Sequence, residues 1–97
     1  MKWPPENLDD LLSRASRVLR SAGAREVYVF GTAAEGRLRE DSDIDLAVSG
    51  LPPASLLSTL VRIDEIFGRY VDLVNLDRDT PFTNYLRSKE GLLRRVA

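Results

Sequence analysis

Apolar side chains recur at helical spacing over residues 6 to 22, at Leu8, Leu11, Leu12, Ala15, Val18, Leu19 and Ala22. This spacing predicts an amphipathic helix with one buried stripe. Asp9 and Asp10 fall in its first turn and Arg17 and Arg20 near its end, as the helix dipole favours, and Gly23 is a natural stop. The period then changes. Residues 26 to 30, Glu-Val-Tyr-Val-Phe, predict a buried strand ended by Gly31. A polar loop with Gly36, Arg37, Arg39, Glu40 and Asp41 follows. Over residues 43 to 49, Ile44, Leu46 and Val48 take one face and Asp43, Asp45, Ala47 and Ser49 the other. That is a strand with one apolar and one carboxylate-bearing face. After a turn at residues 50 to 53, Leu56, Leu60, Ile63 and Phe67 mark a helix over residues 54 to 67, stopped by Gly68. Residues 70 to 76 predict a third strand. Thr80 and Pro81 open a short helix to about Glu90, ended by Gly91. Leu92 to Ala97 admits either a terminal strand or a frayed end.

The order helix, strand, loop, strand, helix, strand, helix contains no repeat or linker. It predicts an α/β (α+β) fold over residues 1 to 97, a single domain with a small mixed sheet and helices packed on one face. The 97 residues, 43% of them hydrophobic, leave little room for a second core. No apolar run approaches the roughly 20 residues that cross a bilayer. The first residues lack the apolar stretch of a signal peptide, so a cytoplasmic protein is expected. A net charge of −1 argues against extended contact with nucleic acid.

Cys and His are both missing. Zinc sites, thiol nucleophiles and imidazole bases go with them. Any metal must be a hard cation held by oxygen, such as Mg²⁺ or Mn²⁺.

The run Ser42-Asp43-Ile44-Asp45-Leu46 supplies such oxygens. On a strand, residues i and i+2 share a face, with Cα atoms about 6.5 Å apart, so both carboxylates can converge on cations. By itself an Asp-x-Asp pair reads as a solvated strand face. Three neighbours change that reading. Asp41, Asp43 and Asp45 crowd like charge beside apolar residues, a repulsion of about 3 kcal/mol per pair at 5 Å before solvent screening. Asp72 is the ionisable residue inside an otherwise apolar strand. Gly31-Thr32 ends the strand before them, where a close-approaching backbone and a hydroxyl can hold phosphate; seen alone, it would be an ordinary turn. Gly31 and Gly36 have P-loop spacing, but Arg37-Leu38 follows instead of Lys-Ser/Thr, which excludes a Walker A motif.

Gly31-Thr32, ten residues, Asp43-Ile44-Asp45 and then Asp72 in Val71-Asp72-Leu73-Val74 together resemble the signature of the DNA polymerase β-like nucleotidyltransferase superfamily. The runs from Val29 to Val48 and from Val71 to Leu93 most resemble the minimal nucleotidyltransferases, antitoxins of HEPN/MNT toxin–antitoxin pairs. The resemblance covers nearly the whole chain. It implies ATP as donor and two Mg²⁺ ions. Asp43 and Asp45 would ligate both ions, and Asp72 would ligate the second beside the attacking hydroxyl. Gly31 and Thr32 would hold the β- and γ-phosphates. The implied acceptor is a tyrosine hydroxyl of a HEPN-type RNase toxin. A domain this small supplies little beyond the metal platform, so the acceptor surface must come from a second macromolecule or a very small substrate. Two positions depart from the pattern. Thr32 replaces the usual Ser, and Glu35 stands where many relatives carry Arg or Lys. If that cation touches the triphosphate, either nucleotide affinity is weak here or Arg37 or Arg39 replaces it, although each of these read singly is a solubility residue. The alternative is a non-catalytic module that inhibits its partner sterically. Antibiotic-modifying relatives carry a further substrate domain, and polymerase or tRNA-tailing roles fail on length and charge.

Overall fold

The computed structural model describes residues 5–36, 39, 43–89 and 91–97. The first helical stripe becomes α1, Leu8–Ser21, which buries Leu11, Leu12, Ala15, Ser16 and Leu19. Ser16 is tolerated in that stripe because its hydroxyl donates to the Leu12 carbonyl at 2.9 Å. Strand β1 is Glu26–Phe30. The expected polar loop begins instead with a single helical turn, α2, Gly31–Ala34. Gly31 at φ +68° redirects the chain at the strand end, and Ala33 and Ala34 favour the turn that follows. Strand β2 is Ile44–Ser49. A 3₁₀ turn at Pro53–Ser55 leads into α3, Leu56–Phe67, which Gly68 ends in the left-handed region at φ +69°. Strand β3 is Val71–Asn75, helix α4 is Pro81–Ser88, and β4 is Arg94–Arg95.

The strand order is β3-β2-β1-β4. Strands β1 and β2 pair antiparallel, whereas α3 carries the chain across so that β2 and β3 run parallel. The C-terminal residues form a strand: Tyr28 pairs with Arg95 and Val29 with Arg94.

Alternation along the strands sorts the sheet into two faces. Val27, Val29, Ile44, Leu46, Val48 and Val71 meet α1 and α3, with Ile63 and Phe67 at the centre of that core. Burying each such large side chain contributes about 1.5–3 kcal/mol. The mixed sheet with α1 and α3 on one face is as expected. Helix α4 adds a smaller cluster on the other face, where Leu86 packs with Phe30, Ala47 and Leu76. Thr80 starts α4 as anticipated, and Thr83 completes a capping box: the Thr83 amide donates to Thr80 Oγ1 at 3.1 Å and the Thr80 amide to Thr83 Oγ1 at 3.0 Å. This cap holds α4 over one half of the second face and leaves the other half to the carboxylates.

Candidate active site

Register assembles the site. Asp45 on β2 lies opposite Phe30 of β1 on one side and beside Asp72 of β3 on the other. Asp45 and Asp72 are both half-buried and share the second face, so residues far apart in sequence present adjacent carboxylates. Asp43 lies two residues before Asp45, exposed at the mouth of the strand.

The Asp45 carboxyl is held above the ordinary aspartate value. Burial is the main cause, and the like charges of Asp72 and then Asp43 add to it. Both neighbours act on Asp45, so the three groups share one electrostatic patch. Among the described residues, however, no set of three or more acidic side chains stands close enough to enclose an ion. The donor chemistry fits a hard divalent cation: carboxylate oxygens only, crowded enough to gain from a positive charge.

Gly31 abuts this patch. A Cβ there would sit 2.5 Å from Asp45 Oδ2, and its φ of +68° is one that L side chains rarely adopt. The backbone conformation favours glycine at position 31, and an added Cβ would push the Asp45 carboxylate oxygen aside. Thr32 follows in α2, half-buried. Amides at the head of a helical turn have no upstream carbonyl to bond, and so they suit phosphate oxygens. Gly31, Thr32, Asp43, Asp45 and Asp72 are therefore all brought to one end of one face. Glu35 and Arg39 are exposed beyond α2. Arg37, Asp41 and Ser42 lie outside the described residues.

Sequence reasoning missed Phe30 and Phe82. Phe30 pairs with Asp45, and its ring meets Phe82 of α4 edge-on, with centroids 5.9 Å apart. The signal was Phe30 immediately before Gly31; nothing local pointed to Phe82.

A mixed sheet that presents paired carboxylates beside a Gly-Thr turn is the platform of a nucleotidyltransferase. Residues 14–93 match the family described as polymerase beta, nucleotidyltransferase, and the chain belongs to that family. It is 35% identical over 74 residues to the protein adenylyltransferase MntA of Thermococcus cleftensis, a match covering 71% of this chain and 74% of that protein. The fold is similar to a solved minimal nucleotidyltransferase, with TM-score 0.72 and 28% identity over 90% of this chain and 87% of the other. It is also similar to a chain in the complex of tri-AMPylated HEPN toxin with MNT antitoxin from Shewanella oneidensis. There the TM-score is 0.65 and the identity 18%, over 92% of this chain and 71% of that one. The last likeness is one of fold.

Proposed function

We propose that this nucleotidyltransferase moves AMP from ATP onto a tyrosine hydroxyl of a HEPN-type RNase toxin and thereby silences it. The observation that carries the reading is the row formed by Phe30, Asp45 and Asp72 across three adjacent strands, with Gly31 directly after Phe30 and against the Asp45 carboxylate. A donor phosphate chain fits at the Gly31 end and an acceptor at the Asp72 end. The likeness to a protein adenylyltransferase and to the antitoxin side of an AMPylated toxin complex supports the choice of donor and acceptor.

In this reading Asp43 and Asp45 would hold two Mg²⁺ ions, Asp72 would help hold the second, and Gly31 and Thr32 would cradle the β- and γ-phosphates. Bound divalent cations would neutralise charge at the α-phosphate and lower the pKa of the hydroxyl. The hydroxyl oxygen forms a bond to the α-phosphorus, the bond from that phosphorus to the bridging oxygen breaks, and pyrophosphate leaves. Asp72 accepts the hydroxyl proton. Like charges held around Asp45 favour cation loading, because a cation removes their repulsion. Chemistry that draws on ATP and a ribonuclease belongs in the cytoplasm, and among the described residues no helix is long and apolar enough to cross a membrane.

Intact-mass analysis of a co-expressed HEPN-type partner after incubation with ATP and Mg²⁺ tests the reading. Each added AMP raises the partner mass, and Asp72→Asn is expected to bind the partner yet add nothing. Silencing of toxicity by the Asp43→Asn/Asp45→Asn variant as full as by wild type, with no adduct in either case, would show steric inhibition instead.

A further inference from the structure

Beyond Asp72 the row of strands stops, because β3 is an edge of the sheet. The Leu76 amide donates to Val48 O at 2.8 Å, which turns the backbone groups of even-numbered β3 residues toward β2. Those of Val71, Leu73 and Asn75 therefore point outward. Both ends of this edge are already closed. Asp64 of α3 accepts from the Val71 amide at 2.9 Å, and the Arg78 amide donates to the Asn75 carbonyl at 3.3 Å. The N–H and C=O of Leu73 lie between them, without a partner among the described residues. A groove of about 450 Å³ runs over this stretch. Its lining includes Pro53 and Leu56 before and in α3, Leu73 and Val74 of β3, Arg78, and Phe82 of α4. Phe82 is 48% exposed there.

We infer that this edge seats the acceptor as an extended peptide segment, which adds a short antiparallel strand to β3 and exchanges both hydrogen bonds with Leu73. The inference rests on the proposed transfer reaction and specifies how its acceptor is held. An outward N–H and C=O on one strand residue are matched by extended backbone. Residues directly opposite in an antiparallel pair project to the same face. The segment residue next to the one facing Leu73 would thus lie opposite Asp72 and place its side chain on the carboxylate face. Alternate residues of the segment would meet Leu56 on one face and Phe82 on the other, and an acidic residue would complement Arg78. The closed ends limit pairing to a few residues. A second copy joined edge to edge would need the longer ladder that Asp64 and Arg78 interrupt.

The test is selection from a random seven-residue peptide library on the full chain, with amide exchange then measured on the chain–peptide complex. Enriched peptides are expected to carry a hydroxyl residue and to slow exchange at Leu73 by about tenfold or more, as new hydrogen bonds do. Leu73→Pro, which removes the outward amide, should abolish binding. Arg78→Glu, an exposed change that spares the fold, should weaken peptides with acidic residues and reverse their charge preference. Failure to enrich any peptide, protection mapping to α1 and α3, or concentration-dependent protection of Leu73 without peptide would overturn the seat. The last result would mean a second copy occupies the edge. Peptides that bind at Leu73 while no AMP reaches any acceptor would count against the transfer reading and leave the seat standing. AMP transfer to a protein partner with Leu73 exchanging freely in the complex would do the reverse.

Discussion

The second face of the sheet carries a carboxylate cluster at each end, and the two are built on opposite principles. At the β4 end, Glu26 accepts from the Tyr28 hydroxyl at 2.8 Å and the Ser49 hydroxyl at 2.9 Å, with the Arg95 guanidinium 3.4 Å away. The Tyr28 and Ser49 hydrogen bonds hold its carboxyl below the ordinary glutamate value, with a smaller pull from Arg95 and Arg87, and they outweigh what burial does in the other direction. At the α2 end, Asp45 meets burial and two like charges, and its carboxyl moves up. The first cluster is satisfied from within the chain. In the second, burial and like charge act on Asp45 in one direction, and a cation or a proton would relieve both. A carboxylate crowded by burial and like charge gains from a cationic ligand in a way that one held by hydrogen bonds does not.

The largest expected effect is on chemistry. Asp43→Asn with Asp45→Asn should lower AMP transfer about 1000-fold or more, roughly 4 kcal/mol of barrier, with the circular dichroism spectrum unchanged. A double variant that transfers at the wild-type rate would break the distinction between the two ends. Gly31→Ala comes next. Its φ of +68° should cost about 1–2 kcal/mol of stability in urea titrations. The added methyl also displaces the Asp45 carboxylate, so transfer should fall by about tenfold or more, since small misplacements of reacting groups are expensive.

Smaller effects sharpen the comparison through pH. Because the folded Asp45 carboxyl is raised, the native state binds more protons than the unfolded chain just above the ordinary aspartate value of 3.8. Stability of the metal-free protein therefore falls as pH rises through the folded value. Asp45→Asn should raise the melting temperature in EDTA at neutral pH by a few degrees, an effect softened by solvent screening. Saturating Mg²⁺ should stabilise wild type and not this variant. Glu26 has the opposite sign. Its lowered carboxyl stabilises above the ordinary value of 4.5, and that contribution is lost as pH falls through the folded value. Glu26→Gln should lower the melting temperature slightly at neutral pH and converge with wild type in acid. Thermal melts across pH in EDTA that show the same slope for both variants would erase the contrast.

Much of this was legible in local pattern. Helical spacing marked α1 and α3, alternation marked β1, β2 and β3, and Thr80-Pro81 marked the start of α4, because each is set by neighbours within a turn or a strand. The polar face that carries Asp45 was legible for the same reason: strand parity decides which side chains share a face before any strand is paired. Parity could not say which residue of one strand lies beside which residue of another. That Asp45 falls next to Asp72 rather than one position along depends on the α3 crossover and on the core beneath. The steric demand on Gly31 follows from the Asp45 side chain across the pair. The hydroxyl partners of Glu26, the Phe30–Phe82 contact and the open edge at Leu73 also join residues from different elements, and packing alone brought them together. Sequence determined the elements and the chemical inventory through short-range sterics and hydrophobic period. Tertiary structure decided which carboxylate is held by hydrogen bonds and which is crowded by burial and like charge, because both depend on distance through space and on exclusion of water.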